Sequence, residues 1–427
     1  MLTLLAARRF GPLMGTLFLN AFNDNLYRTA LLFLITYRLM AEMPDQAAQL
    51  VAISAGLFIL PYVLFSGLAG EVADAIDKAK AARTIKGCEI LVMIAGAAAM
   101  YWGVIPLMLL VLFAMGLQSA FFGPIKYAIL PQHLSAKEIT GGTALVEAAT
   151  FIAVLTGQIV GGLIAPEAAM VGIVLIALLG WGASFAVPSA PPTPGVHRVQ
   201  VNVLASSYAV IRHVWTVRHL RLAVLAISWF WAIGAVFTSL FIPLVKDMLG
   251  GAETVATLFL AAFSVGMAIG SLIIGSVLAG MVSARTLVAS LLLMSLAILD
   301  LYFAVATYPA GGAALLEIGA FLGRIESWRI LGDLTLLAIG GGSFIVPLYT
   351  IIQTKSDPAL RARVIAGNNI INSAFMVVAA LASGALLGSG WSVIAILALM
   401  GGLNLLAIPV ARRLRRALTE RDVVSND

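Results

Sequence analysis

Twelve apolar segments follow one another along the chain, separated by short polar connections. A helix of about 20 residues spans the roughly 30 Å hydrocarbon core of a bilayer, because each residue adds about 1.5 Å along the helix axis. The pattern therefore predicts an all-α polytopic membrane protein with twelve transmembrane helices. The predicted spans are 10–39, 48–70, 86–102, 104–125, 139–164, 168–187, 222–245, 253–280, 286–306, 333–352, 364–387 and 391–411.

The composition supports a membrane protein. Hydrophobic residues make up 61% of the chain and charged residues 11%, whereas soluble domains carry about 25% charged residues. The 40 glycines indicate close helix packing, since small residues let transmembrane backbones approach one another. The single cysteine, Cys88, excludes both an intramolecular disulfide framework and a cysteine-based zinc site.

The basic residues indicate the orientation of the chain in the membrane. Of the 26 lysines and arginines, only Arg38, Lys246, Arg324 and Arg329 fall in the loops that follow odd-numbered helices, and Arg28 lies within the first helix. Cytoplasmic loops carry the excess of positive charge, so both termini are predicted to be cytoplasmic. The basic runs are short and lie between apolar spans, so the net charge of +6 does not indicate a nucleic-acid partner.

A proline-rich stretch, PSAPPTPG, begins the longest cytoplasmic connection and cannot continue a helix. It predicts an N-terminal six-helix half over 1–188, a linker over 189–221, a C-terminal six-helix half over 222–411 and a basic cytoplasmic tail over 412–427.

Two connections contain apolar residues of their own. In the linker, Leu204, Tyr208, Ile211 and Trp215 recur at helical spacing, which predicts either an amphipathic helix on the inner membrane surface or an ordinary solvated connecting helix. The stretch 307–332 is too apolar for a free loop and is predicted to be an interfacial or re-entrant segment.

An internal repeat supports the division into two halves. The segment Pro124–Glu147 aligns with Pro347–Asn372, which predicts two pseudo-symmetric copies of six helices. Parallel repeats of this kind, with the substrate held at their interface, are the plan of the major facilitator superfamily.

The first helix carries the strongest candidate site. A charged side chain at membrane depth costs about 2.5–3.5 kcal/mol on insertion scales, so each one is a candidate for function. Asn20, Asp24 and Arg28 are spaced four residues apart and share one helix face. This face is predicted to line a central cavity, and the alternative is a structural Asp24–Arg28 ion pair that neutralises itself.

Three further residues complete the predicted binding set. Lys126 follows Pro124 near the membrane edge, where it either extends to lipid phosphates or reaches inward. Glu147 is an isolated acid on an apolar helix, where it binds a cationic group or makes a structural contact, and Asn372 is its counterpart in the repeat. Glu89 and Asp300 are placed near span ends and predicted to be structural or interfacial.

No catalytic motif accompanies these residues. The sequence has no GxxxxGK[ST] phosphate loop, no HExxH and no clustered Cys/His site. Neither an enzyme activity, a cofactor nor a bound metal is therefore expected.

Several motifs are similar to those of the bacterial lysophospholipid transporter family of the major facilitator superfamily. They are FNDN in the first helix, GLAGEVADAIDKAKAARTIK after the second, FFGPIKYAILPQ with GGTALVEAATFIAVLTGQIVGG, and LYTIIQTKSDPALRARVIAGNNIINSAFM. The resemblance covers most of the chain and is more specific than the general superfamily signature. Gly70-x-x-x-Asp74 is a degenerate form of that signature, with Ala75 where a basic residue is usual.

The resemblance implies a flippase that moves lysophospholipids, chiefly lysophosphatidylethanolamine, from the outer to the inner leaflet of the bacterial inner membrane by alternating access. It implies head-group contacts for Asp24, Lys126 and Glu147, a separate acyltransferase and acyl-carrier-protein ligase as partner, and a monomer embedded in membrane lipids. Members of the family can have an arginine midway along the seventh helix, whereas this chain has Thr238 near that place. Arg28 or Lys126 would then supply the positive charge for a phosphate.

Two other functions remain open on the sequence. A proton-coupled exporter of drugs or small polar solutes would use Asp24 or Glu147 as its titrating acid. A membrane anchor that recruits a lipid enzyme would need only the basic loops and tail.

Overall fold

The architecture comes from a computed structural model that describes residues 1–192, 199–309 and 315–424. Parts of the predicted linker, of the 307–332 stretch and of the basic tail lie outside these residues. Within them, twelve helices of 13 to 32 residues follow the predicted spans. They are α1 Gly11–Leu34, α2 Pro44–Ala75, α3 Lys78–Trp102, α4 Ile105–Ala128, α5 Ile139–Leu163, α6 Pro166–Phe185, α7 Arg218–Pro243, α8 Glu253–Leu278, α9 Leu287–Ala306, α10 Ile325–Lys355, α11 Arg361–Gly388 and α12 Val393–Leu405.

Shorter elements connect the long helices. α1 and α7, which occupy corresponding places in the predicted halves, each continue into a five-residue π-helical turn, at Ile35–Leu39 and Leu244–Met248. The other helical elements are Leu2–Ala6, Leu130–His133, Val203–Thr216, Ile318–Leu322, Pro358–Leu360 and Ile408–Val424. The last of these shows that much of the predicted basic tail is helical.

The membrane character of the helices is confirmed. In the part of the chain that the structure describes, eleven helices are long and apolar enough to cross a membrane. α1 is a further helix of 24 residues whose apolar sequence is interrupted by polar side chains. Large apolar side chains such as Leu91, Leu110 and Leu296 are mostly exposed, as expected for helix faces that contact hydrocarbon instead of water.

Local sequence signals set several helix ends. The Asp77 carboxylate accepts a hydrogen bond of 2.9 Å from the Lys80 amide and caps the start of α3. The same helix ends at Gly103, whose φ of 68° lies in the left-handed region that glycine adopts without strain. α3 therefore begins eight residues before the predicted position 86.

The described residues divide into two compact units. Unit 1 comprises Met1–Gly142, Ile152–Thr216 and Ile352–Ile370, and unit 2 comprises Thr143–Phe151, Val217–Ile351 and Ile371–Asp427. The residue boundaries of the halves, linker and tail stay a prediction.

An apolar core joins α1, α3, α4 and α6 within unit 1. Tyr27 of α1 is fully buried, and its hydroxyl donates a 3.1 Å hydrogen bond to the Met108 carbonyl. The Tyr27 ring packs where α3 carries Gly96, since a Cβ there would lie 2.8 Å from the ring. Packing of this core fixes the rotation of α1 about its axis, and therefore the direction in which its polar residues point.

The connecting helix Val203–Thr216 is present as predicted, with its apolar stripe on the outside. Leu204 and Tyr208 are 77% and 68% exposed, whereas Ser206 and Val210 are buried. Ser206 donates a 2.9 Å hydrogen bond to Glu71 of α2. The contacts to unit 1 thus use the face opposite the predicted stripe, and its position at the membrane surface stays a prediction.

The 307–332 stretch is partly regular within unit 2. Leu316 forms an isolated parallel bridge with Gly251, its amide donating to the Gly250 carbonyl at 2.7 Å. α10 begins at Ile325 and not at the predicted position 333. Polar residues on its first turns lower the local hydropathy, so the hydropathy pattern places the start of the helix too late.

The end of α2 contacts the start of α11 within unit 1. The Asp74 carboxylate accepts hydrogen bonds from the amides of Ala362 and Arg363 at 3.0 and 3.1 Å. A Cβ on Gly70 would lie 2.6 Å from that of Ala366. The GxxxD sequence therefore caps a helix N-terminus, with the glycine allowing the approach and the aspartate supplying the acceptor.

Candidate binding site

The predicted polar face of α1 is buried inside unit 1. Asn20 and Asp24 are 7% and 8% exposed, and the Asn20 amide lies 3.3 Å from an Asp24 carboxylate oxygen. Arg28, one turn further along, is half-buried, with its guanidinium 5.9 Å from the centre of the Phe58 ring of α2. The α1 face thus points into the protein and not at lipid.

α4 supplies two neutral partners for these residues. The Ser119 hydroxyl donates to Asp24 Oδ2 at 2.7 Å. The neighbouring Gln118 amide donates to Asn20 Oδ1 at 2.9 Å and to Glu89 Oε2 at 3.1 Å. Gln118 therefore bridges the α1 polar face to an acid on α3.

α3 supplies an ion pair that the hydropathy pattern missed. Lys86 and Glu89 are 0% and 1% exposed and pair with each other. The Lys86 ammonium also lies 3.4 Å from Asn20 Oδ1, and the Asn23 amide donates to Glu89 Oε1 at 2.9 Å. α6 leaves room for Lys86 at Gly180, where a Cβ would lie 2.8 Å from the lysine Cε.

These contacts define one polar cluster within unit 1. Its members are Asn20, Asn23, Asp24, Lys86, Glu89, Gln118 and Ser119.

The placement of Glu89 near a span end is wrong. Since α3 begins at Lys78, Glu89 lies in the middle of the helix. Asp77 is a helix-capping residue that is visible in the sequence. Had the predicted helix been started there, Lys86 would have been predicted at membrane depth. Asp300, in contrast, forms an exposed two-point pair with Arg329 at 2.5 and 3.1 Å, in agreement with a structural role.

The cluster has unused acceptor capacity. Asp24 Oδ1 and Asn23 Oδ1 are buried, and no hydrogen bond reaches either atom from the described residues. With its side chains ionised, the cluster contains two carboxylates and one ammonium. Burying a polar oxygen without a donor costs free energy, so the site favours a ligand that brings a positively charged hydrogen-bond donor.

The remaining predicted residues lie in other places. Lys126 is in the last turn of α4, with its ammonium 4.9 Å from the centre of the Tyr127 ring. It follows Ser119 by two helical turns, roughly 10 Å along the same helix face. Glu147 and Asn372 are buried and belong to unit 2. The structure thus brings Asn20 and Asp24 together with residues that the sequence prediction did not include.

In unit 2, α7 contributes neutral polar contacts. Ser228 donates to Asn372 Oδ1 at 2.7 Å, and the Trp229 indole donates to Asn404 Oδ1 at 3.1 Å. Thr238, near the position where the family can have arginine, is exposed and bonds to its own helix at the Gly234 carbonyl. α7 therefore offers no cation along this stretch.

Solved structures show that the fold is shared with known transporters. The human organic anion transporter MFSD10 (TETRAN) is 14% identical with a TM-score of 0.74, covering 95% of this chain and 99% of its own. A bacterial homologue of the iron transporter ferroportin is 13% identical with a TM-score of 0.69, over 95% and 99% of the two chains. The transporter FucP is 14% identical with a TM-score of 0.69, covering 96% of this chain and 98% of its own.

Sequence comparison is more specific. The lysophospholipid transporter LplT of Escherichia coli is 26% identical over 350 residues, which cover 81% of this chain and 80% of the relative. The protein of that name from Klebsiella pneumoniae matches equally well. The family model of the Major Facilitator Superfamily matches residues 13–327. The chain therefore belongs to the Major Facilitator Superfamily, as a distant relative of LplT.

Proposed function

We propose that the protein is a secondary transporter that moves lysophospholipids, chiefly lysophosphatidylethanolamine, from the outer to the inner leaflet of a bacterial inner membrane. The observation that carries this proposal is the open Oδ1 acceptor of buried Asp24 within a cluster that has one more carboxylate than ammonium. A primary ammonium supplies both the charge and the hydrogen-bond donors that this oxygen lacks.

The phosphate of the head group would be bound by basic residues in and around the cluster. Lys86 pairs with Glu89 inside it, Arg28 lies one turn from Asp24, and Lys126 lies two turns from Ser119. These three cations take the place of the missing arginine on α7. With the ammonium on Asp24 and the phosphate on Arg28 or Lys126, each charge of the zwitterionic head group would lie beside an opposite charge of the protein.

The acyl chain would stay in a lipid environment while the head group crosses. This arrangement avoids burying the polar head against hydrocarbon, and the two six-helix halves would expose the cavity alternately to each leaflet. The proposal includes cytoplasmic termini, a monomer without cofactor or catalytic activity, and a separate cytoplasmic acyltransferase that uses the delivered lysolipid. The relative named for lysophospholipid transport, which aligns over 81% of this chain, supports the substrate class.

Flux in proteoliposomes tests this function. We expect saturable transport of labelled lysophosphatidylethanolamine above that of protein-free vesicles, and weaker transport of lysophosphatidylcholine, because its quaternary ammonium has no N–H to donate to Asp24. Transport of lysophosphatidylglycerol, which lacks the ammonium, should also be weaker than that of lysophosphatidylethanolamine.

The same vesicles distinguish the rival function. Flux is measured in these vesicles with and without a proton gradient. Absence of lysolipid flux, together with movement of a small polar solute only under the gradient, would support a proton-coupled exporter. That result would reject the lysophospholipid proposal.

A further inference from the structure

A cavity lies near the far end of α1, within unit 1 and outside the polar cluster. It has a volume of about 330 Å³, and its lining includes Phe33, Tyr37, Arg38, Gly161, Gly162 and Pro166. On α1 and the turn that continues it, the lining runs from Ala30 to Arg38, six to fourteen residues beyond Asp24, which corresponds to roughly 9 to 21 Å along a helix. The residues that line the cavity include no member of the polar cluster.

Two adjacent glycines on α5 shape this cavity. At Gly161 the helices touch, since a Cβ there would lie 2.7 Å from the Leu26 carbonyl oxygen of α1. At Gly162 the space opens, and a Cβ would meet only side chains, the Phe33 ring at 3.5 Å and the Thr29 methyl group at 3.9 Å, which are ordinary contact distances. The result is an apolar groove whose floor is the bare backbone of α5 and whose wall is aromatic.

The aromatic wall faces outward. The Phe33 and Tyr37 rings lie 5.3 Å apart, and the two residues are 36% and 58% exposed. Aromatic rings with one polar end are typical of the membrane–water interface. The two exposed rings therefore favour an opening toward the lipid, at the level where a head group meets its acyl chain.

An ion pair forms the polar rim. Arg38 Nη1 lies 3.0 Å from Glu167 Oε1, and the two side chains are 56% and 70% exposed. Exposed pairs of this kind are weakly held, so either partner is available to a ligand. A cation beside an anion is the complement of a phosphoethanolamine head group, whose phosphate would contact Arg38 and whose ammonium would contact Glu167.

We propose that this groove is a lateral docking site for lysophosphatidylethanolamine in the outer leaflet, occupied before the head group reaches the polar cluster. The inference rests on the proposed function and on the assignment of Arg38 to the outer face. The single acyl chain lies along Gly162 and the Phe33 ring, and the head group lies on the Arg38–Glu167 pair.

The test uses lysophosphatidylethanolamine that carries a photoactivatable group on its acyl chain, with the full-length protein in proteoliposomes. We expect labelling of the peptide that contains Phe33 and Tyr37. Gly162→Leu fills the groove without a backbone clash, and excluding two methylene groups of the ligand would lower labelling about tenfold. The KM for flux should rise with little change in kcat.

Two further variants make the result specific. Gly182→Leu adds the same side chain on α6 where a Cβ meets nothing within 4 Å, and it should label like the unchanged protein. Arg38→Gln removes the exposed cation and should lower labelling about fivefold.

The outcomes separate this inference from the proposed function. Flux without labelling of the Phe33 peptide, or labelling unaffected by Gly162→Leu and Arg38→Gln, overturns the docking site and leaves the transport function standing. Unlabelled lipids can be added as competitors of the labelling. If diacyl phosphatidylethanolamine competes as well as lysophosphatidylethanolamine does, the groove is an ordinary lipid contact, and this result also overturns the docking site. Absence of both flux and labelling rejects the transport function itself. Asp24→Asn should lower flux about ten- to hundredfold and retain labelling.

Discussion

Replacing Asp24 with asparagine is expected to lower lysophosphatidylethanolamine uptake into spheroplasts by about ten- to hundredfold at equal expression. Hydrogen bonds to charged groups contribute about 1.5–3 kcal/mol, which corresponds to this range. Asparagine has nearly the shape of aspartate and keeps an oxygen that accepts from Ser119, so the cluster stays folded while the charge is lost. The decrease would therefore report substrate binding and not collapse of the site.

The control is Asp45→Asn, which removes a carboxylate from an exposed position in the first turn of α2. It should leave uptake unchanged. Uptake by the Asp24→Asn variant that equals the unchanged protein, at the same membrane abundance, would remove Asp24 from the binding site.

The second large effect concerns the buried Lys86–Glu89 pair. Lys86→Met or Glu89→Gln alone should lower the free energy of unfolding by about 3–5 kcal/mol, because each leaves an unpaired buried charge. The double variant should recover most of that stability, since removing both charges abolishes the desolvation cost. Thermal melts in detergent measure both expectations.

An exposed pair provides the matched comparison. Arg329→Met and Asp300→Asn break an ion pair whose side chains are nearly half exposed, and each should cost less than about 1 kcal/mol.

Transport by the double variant then separates structure from binding. If Lys86 holds the lipid phosphate, the folded double variant should have a KM raised at least about tenfold, the loss expected for a charge-assisted hydrogen bond. A stable double variant with an unchanged KM would restrict the pair to a structural role.

The helices were predictable because hydropathy is a local property. Each of the twelve predicted spans corresponds to a helix, and the four-residue spacing of Asn20 and Asp24 placed them on one buried face. The errors lie at the helix ends, where single capping residues decide. Because Asp77 caps α3 at Lys78, Lys86 and Glu89 lie in the interior of the helix and not near its end, where the predicted span placed them.

The rest of the cluster depends on tertiary packing. Gln118 and Ser119 are uncharged residues within an apolar helix, and only the approach of α4 to α1 and α3 gives them charged partners. The same holds for Gly180, whose missing side chain makes room for Lys86. A single sequence contains no local pattern that relates positions so far apart.

Head-group discrimination by Asp24 is the most direct test of the central claim that this carboxylate binds a lysolipid ammonium. The measurement is the ratio of initial rates for lysophosphatidylethanolamine and lysophosphatidylglycerol in proteoliposomes containing the unchanged protein or the Asp24→Asn variant. We expect the unchanged protein to favour the lipid with the ammonium, and the variant to transport the two at similar low rates. An identical ratio in both proteins would contradict the assignment of the ammonium to Asp24.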